Sequence, residues 1–555
     1  MSAGVPAALR ATAEAWMSAD PDTRTRDEVA ALLEAGDADG LTARFAGRLA
    51  FGTAGLRGPM RAGPTGMNRL LVRQATAGIA RHLLASATDP QTRGVVVAFD
   101  ARHNSAEFAH DCALVLSAHG IPVFLGAEPL PTPVGVFAIR HLGCVAGLVV
   151  TASHNPPADN GLKLYLDDAA QIVPPVDAQV AEAIDAAAAD GVLVPDGPGA
   201  AVSALPREAV DAYRAHVLAL VPPPASRMRI VTTAMHGVGG ALLAGLLTEA
   251  GHQEVYPVAA QEDPDPEFPT VRFPNPEEPG ATDLLAVRMD EVAAGLGLAL
   301  DPDADRVAVM VPGRHGEIVQ LSGDDVGSLL ADWLLGAVTQ GRPDRLVVNS
   351  VVSSSMLAAI ASARGVWHTQ TLTGFKWLCR PAIEHPEWEQ VLAYEEALGY
   401  AIGPDTRDKD GLLAALAVAS MASAAHARDR TLLEDLDDLN RRHGAHVTHN
   451  FSLRDDRPGA AQRYREMMEK LIRTPPDRIG GLRVRELHGV AVDVLRIDLE
   501  GDVRVIVRPS GTEAKLKCYC EAVEAVQDAD VDGARERARH RLALVRDHLD
   551  RLLSA

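Results

Sequence analysis

Residues 151–165 read TASHNPPADNGLKLY. Ser153 follows the apolar run 146–150 and precedes His154, Asn155 and two prolines, with Lys163 later in the same segment. Pro156 and Pro157 fix φ and withhold N–H groups, so the chain must leave a strand in a stiff turn. A hydroxyl fixed at the carboxyl end of a strand, beside an imidazole and near an ammonium, suits a nucleophile or a phosphate carrier. Taken alone, the segment reads more simply as a polar surface turn.

A second constellation answers it. Asp301-Pro302-Asp303-Ala304-Asp305-Arg306 follows the strand-like run 297–300. Three carboxylates at alternate positions of a tight turn can aim hard oxygens at one cation. The segment has too few ligands for a calcium cage and lacks the glycine and distal glutamate of a calcium loop. Mg2+, which accepts a few carboxylates and a phosphate oxygen, is the better match. The plainer alternative is an acidic turn whose aspartates cap the backbone.

Other loops are weaker one by one. Arg508-Pro509-Ser510-Gly511-Thr512-Glu513, with Lys515 and Lys517 beyond it, has the parts of a phosphate cradle: guanidinium, hydroxyls and N–H groups around a glycine. It also fits a simple β-turn. Glu395-Glu396-Ala397 puts adjacent carboxylates at a strand end, as acceptors for sugar hydroxyls. Lys409, in Arg407-Asp408-Lys409-Asp410-Gly411, is a candidate catalytic ammonium. The loops 373–377 (TGFKW, with Gly374 and Lys376) and 52–58 (GTAGLRG, with Arg57) each combine backbone freedom with one cation.

The elements that must carry these loops are legible as a rhythm. After an Ala-rich helical leader to about residue 45, strand and helix patterns alternate from Val95, restart at Arg229 past the prolines 222–224, and restart again from Asp324. Such alternation predicts parallel strands flanked by helices. From about His446 the runs VAVDVLRIDL and VRVIVRP precede a final amphipathic helix, which predicts an α+β section. Four domains follow, at 1–205, 206–318, 319–445 and 446–555. Ser153, Asp301, Glu395 and Arg508 each fall just past an apolar strand-like run, where open α/β sheets bind ligands.

Composition bounds the partners. The chain has 555 residues, 47% hydrophobic and 23% charged, with a formal net charge of −21. That balance argues against nucleic acid, which needs clustered cations. A local cationic cleft can still receive a small anion. No run approaches the ~20 apolar residues of a membrane span, and no secretory leader is expected. Five scattered cysteines (112, 144, 379, 518 and 520) form no metal-site spacing and read as idle thiols of a reducing cytoplasm.

Taken together and in this order, the serine, aspartate, glutamate and arginine loops resemble the α-D-phosphohexomutase family, the phosphoglucomutase/phosphomannomutase enzymes. The resemblance runs from about Phe51 to Glu521. It implies three similar α/β domains with mixed sheets and a C-terminal α+β domain around a central cleft. Ser153 would be the phosphoserine, and Asp301, Asp303 and Asp305 would hold Mg2+ with its phosphate. Lys163 and Lys409 would be acid/base or charge-stabilising groups, supported by Arg57 and His154. Arg306, Gly374, Lys376, Glu395 and Glu396 would bind the sugar, and Arg508, Ser510, Gly511, Thr512, Lys515 and Lys517 the distal phosphate. A sugar 1,6-bisphosphate would serve as activator.

The implied enzyme is a cytoplasmic monomer or homodimer acting on a small sugar phosphate, foremost glucose 1-phosphate to glucose 6-phosphate. Phosphomannomutase and phosphopentomutase activities are the alternatives. A sugar phosphatase and a non-catalytic sugar-phosphate binder are more remote. One departure bears on this: the hexomutase sugar loop usually has a serine where this chain has Ala397. The forms EEALGY, TLTGFKW, DKDG and RPSGTEAK look closer to the phosphopentomutase and glucose-1,6-bisphosphate synthase branch.

Overall fold

The computed structural model describes residues 5–52, 55–338, 342, 344–454, 457, 459–491, 494–509 and 515–554. Its contacts divide it into two compact units. One comprises Met1–Leu321, Phe375–Ile383 and Ala397–Ala424; the other comprises Ser322–Gly374, Glu384–Glu396 and Ala425–Ala555. The stretch 319–445 is thus shared between the two units.

In the first unit the leader forms the helices Ala7–Ala19, Thr23–Ala35 and Ala38–Phe45. Asp22 and Asp37 cap the second and third by accepting from the N–H groups of Arg24 and Gly40, the usual remedy for unsatisfied donors at a helix start. Ala13, Val29 and Leu41 bury a small core among them.

The first large sheet has six strands, in the order Leu56–Pro59, Asp159–Leu166, Ala146–Val150, Val95–Phe99, Val123–Leu125 and Val202–Ala204. Val95–Phe99 pairs in parallel with Ala146–Val150 and Val123–Leu125. Both Val95–Phe99 and Ala146–Val150 are buried along their whole length, as strands covered on both faces must be. Asp159–Leu166 returns antiparallel against Ala146–Val150, placing Lys163 opposite Val149. The serine segment is therefore the connection of a hairpin rather than a free surface turn.

The second sheet repeats this wiring in the order Ile318–Gln320, Val307–Pro312, Leu296–Leu300, Arg229–Thr233 and Glu254–Pro257. Leu296–Leu300 is parallel to Arg229–Thr233 and antiparallel to Val307–Pro312. The aspartate segment 301–306 thus joins a buried strand to its antiparallel return, as the serine segment does in the first sheet. Two glycines permit this packing. A Cβ at Gly161 would run into the carbonyl oxygens of Leu56 and Thr151, and one at Gly237 into the backbone of Pro302.

In the second unit Arg345–Ser350 pairs in parallel with Trp367–Thr371 and Glu389–Glu395. A six-stranded sheet follows, in the order Ala445–Arg454, Lys515–Glu524, Val503–Pro509, Val494–Leu499, Leu482–Ala491 and Arg478–Ile479. Its pairings are antiparallel throughout. The helices Ala460–Arg473 and Val531–Ser554 bury Tyr464, Leu471, Leu542 and Val545 against it, giving the α+β section. Among the described residues no helix is long and apolar enough to cross a membrane.

Candidate active site

Ser153 sits just past Ala146–Val150 with a left-handed backbone, φ +52°, and is 2% exposed. That conformation is unusual for a residue with a side chain and needs outside support. Its N–H donates to Thr151 Oγ1 at 2.8 Å. Its carbonyl accepts from Arg102 Nη2 at 2.6 Å. The hydroxyl donates to Asp301 Oδ2 at 2.9 Å, 148 residues away in sequence, with His154 Nδ1 3.3 Å from it.

The aspartates converge as the alternate spacing predicts. Asp301, Asp303 and Asp305 are fully buried, and each offers an oxygen within 4.8 Å of the others. Ala304, with φ +57°, makes the turn between the last two. Asp301 Oδ1 accepts from the N–H of Arg306 at 3.0 Å. Asp303 Oδ2 accepts from Thr132 Oγ1 and Lys163 Nζ, both at 2.8 Å. Asp305 Oδ2 accepts from Lys163 at 2.9 Å and faces Lys409 Nζ at 3.2 Å.

Asp303 Oδ1 and Asp305 Oδ1 are buried without a hydrogen-bond partner. Orphaned carboxylate oxygens at this depth are costly. Together with Asp301 they form a hard oxygen set suited to a small divalent cation. Burial, reinforced by Asp303 and Asp305, pushes Asp301 well above the usual carboxyl range. Burial acts on Asp303 as well, but the Lys163 ammonium outweighs it and holds that carboxyl below the usual range.

Around this centre, Arg57 on the strand Leu56–Pro59 donates to Asn155 Oδ1 at 3.2 Å. Burial lowers His154 well below its usual value, and the Arg306 and Arg57 cations add to the effect. Arg306 donates to the carbonyl of Ala397 at 3.1 Å and meets Glu277 at 3.4 Å. Lys409 also reaches Asp408 at 3.3 Å and lies 5.3 Å from the centre of the Phe375 ring. Lys376 is on the adjoining short helix Phe375–Leu378.

The second unit gathers another part of the expected set. Gly374 N–H donates to Glu395 Oε1 at 2.5 Å, and Arg508 donates to the hydroxyl of the preceding residue, Thr373. Lys517 pairs across the sheet with Arg508, and Lys515 begins the same strand. Glu395 and Glu396 have different hydrogen-bond partners. Glu396 Oε2 instead accepts from Ser350 Oγ at 3.2 Å and Ser353 Oγ at 3.1 Å, because neighbouring side chains at a strand end point to opposite sides. Ser510, Gly511 and Thr512 lie outside the described residues.

Sequence reasoning missed Arg102. This arginine, 4% exposed, donates to the carbonyls of Ser153, Asn155, Pro156 and Asp159, so one guanidinium closes most of the serine loop. Asp100 pairs with it at 3.4 Å. The signal was available: Asp100 and Arg102 follow a fully apolar strand, where charged residues are unusual unless a site needs them. Thr132, whose N–H and hydroxyl both bind Asp303, carried no such signal.

Sequence models of the phosphoglucomutase/phosphomannomutase α/β/α domains I, II and III match residues 48–190, 211–314 and 322–441, and that of the C-terminal domain matches 470–538. A "probable phosphomannomutase" of Haemophilus influenzae is 39% identical over 82% of this chain and 93% of its own length. A "probable phosphoribomutase" of Schizosaccharomyces pombe is 34% identical over 94% of this chain and 95% of its own. The crystal structure of a putative phosphomannomutase from Thermus thermophilus superposes with a TM-score of 0.65 and 26% identity, covering 90% of this chain and 99% of that one. Since all four domains are matched in order and the two relatives align over 82% and 94% of this chain, the chain belongs to the phosphoglucomutase/phosphomannomutase family and is a sugar-phosphate mutase, an isomerase that moves a phosphoryl group between two positions of one sugar.

Proposed function

We propose that Ser153 carries the phosphoryl group. In the phosphorylated enzyme the Oγ–P bond breaks as a hydroxyl oxygen of the sugar monophosphate bonds to the same phosphorus, giving a sugar bisphosphate and the free serine. After the bisphosphate turns around, its other phosphate returns to Ser153. The observation that carries this reading is the Ser153 hydroxyl on Asp301, 2.9 Å away, inside a buried cluster of carboxylates and ammonium groups. Little covalent help is needed for such a transfer; positioning and charge neutralisation supply most of the rate enhancement.

Asp301, Asp303 and Asp305 would hold Mg2+ with the phosphate on Ser153. A bound divalent cation supplies neutralisation of the charge on the transferring group. Arg57 and His154 flank that group. Lys163 and Lys409, tied through Asp305, are the candidates for acid/base or charge-stabilising groups; as ammonium ions they donate to the oxygens of the transferring group and neutralise its charge. Arg306, Gly374, Lys376, Glu395 and Glu396 orient the sugar, and Arg508, Ser510, Gly511, Thr512, Lys515 and Lys517 receive the distal phosphate. A sugar 1,6-bisphosphate would prime the serine. We read the domain boundaries at 205, 318 and 445, and the enzyme as cytoplasmic, a monomer or homodimer; the five free, buried thiols support a reducing compartment.

Glucose 1-phosphate is the first substrate reading. A pentose phosphate is the second, favoured by Ala397 in the sugar loop and by the phosphoribomutase relative spanning 94% of the chain. Two measurements test these readings. Peptide mass spectrometry after incubation with glucose 1,6-bisphosphate should find the added phosphate on Ser153; finding it elsewhere overturns the carrier. Side-by-side kcat/KM for glucose, mannose and ribose 1-phosphates then ranks the sugars.

A further inference from the structure

Within the first unit a cavity of about 250 Å3 opens between the helices Thr132–His141 and Arg207–Leu220 and the segment 405–410. Of the residues assigned above to phosphoryl transfer, only Lys409 lines it. One wall is aromatic. The Phe137 ring meets Tyr213 edge-on at 5.6 Å between centroids and lies 5.3 Å from His216. Burial lowers His216 below its usual value, which favours the uncharged ring.

The charges lining this cavity are paired with one exception. Arg140 is 2.9 Å from Asp405, and Lys409 reaches Asp408 at 3.3 Å. The Tyr213 hydroxyl donates to Asp410 at 2.9 Å. Arg407 is different: its Nη1 is buried with no hydrogen-bond partner. This part-buried guanidinium is attracted by Asp405 and Asp168 but hydrogen-bonded to neither, so its lost hydration is only partly offset, and an anion in the cavity would offset the rest. The cavity gives that anion room. Three aspartates in the lining, Asp405, Asp408 and Asp410, oppose a dianion such as a phosphate monoester. A single carboxylate matches the fork of one arginine.

We propose that this cavity binds a small organic monoanion, a carboxylate with an aromatic or apolar body, its charge on Arg407 and its body against Phe137, Tyr213 and His216. The proposal does not depend on the sugar or on the role of Ser153.

Benzoate is the probe, titrated calorimetrically into the full-length protein. Saturable binding is expected, unaffected by saturating glucose 1-phosphate. Benzamide, equal in shape but uncharged, should bind at least about tenfold more weakly, since the charge-assisted pair is lost. Arg407→Gln should weaken benzoate to a similar degree, and Arg407→Lys should retain part of the affinity. The benzamide comparison uses the unaltered protein and so holds even if a variant folds poorly. No saturable binding, equal affinity for benzoate and benzamide, or displacement of benzoate by the sugar phosphate would each overturn the proposal.

Discussion

The Ser153 hydroxyl donates to Asp301 Oδ2 at 2.9 Å, although 148 residues separate them. Each lies on a loop joining a buried strand to its antiparallel return, in two sheets wired alike. Repetition of one architecture therefore brings a potential phosphate carrier against a potential cation site.

If Ser153 is the carrier, Ser153→Ala should lower mutase turnover by at least about a thousandfold, because no other group can take over the covalent step. The thermal melt should be close to that of the unaltered protein, since one buried hydroxyl contributes only ~1 kcal/mol. Coupled-assay kinetics with circular dichroism checks both. Near-normal turnover in this variant would sink the carrier assignment.

The orphaned oxygens of Asp303 and Asp305 make a metal prediction. Chelation should abolish turnover and Mg2+ should restore it. Mg2+ should also raise the melting temperature, because a ligand bound only by the folded state stabilises it by RT ln(1 + [L]/Kd). In Asp303→Asn, which loses one hard anionic ligand, the Mg2+-dependent rise should shrink or vanish. An undiminished rise would place the ion elsewhere.

Arg102 should prove a positioning residue. Arg102→Lys keeps the charge but cannot span four carbonyls, so kcat should fall by at least about tenfold with KM little changed. Arg102→Ala leaves the buried Asp100 without its cation and should cost about 3–5 kcal/mol in denaturant unfolding. Equal kinetics for Arg102→Lys and the unaltered enzyme would remove the clamp from the mechanism.

Asp324 offers a pH test away from the aspartate loop. Its Oδ1 accepts from the N–H of Ser354 at 2.6 Å and the hydroxyl of Tyr394 at 3.3 Å. Burial raises its pKa to about 8. The folded state thus holds a proton that the unfolded chain releases near pH 4. Its stabilising effect is complete below that pH and lost as pH rises towards about 8. Asp324→Asn keeps an acceptor without the charge. Relative to the unaltered protein, it should gain stability with rising pH across that window, by at most ~1.4 kcal/mol per pH unit. Urea unfolding at pH 5 and pH 8 measures the difference; equal slopes would contradict it.

What the sequence determined by itself were features written in short local patterns. The fully apolar runs before Ser153 and Asp301 betray strands buried on both faces, and the alternate aspartates betray one shared focus. The order of the loops betrays the family. Tertiary structure alone decided which distant groups complete them. Lys163 joins Asp303 and Asp305 only because the serine loop turns back as an antiparallel strand. Arg102 clamps that loop from 51 residues upstream, and Thr132 reaches Asp303 across 171. Glu396 turns to Ser350 and Ser353, where the adjacent glutamates had suggested one paired acceptor. Such pairings depend on register and on the order of strands in a sheet, which are set by long-range packing and leave no mark in neighbouring residue types.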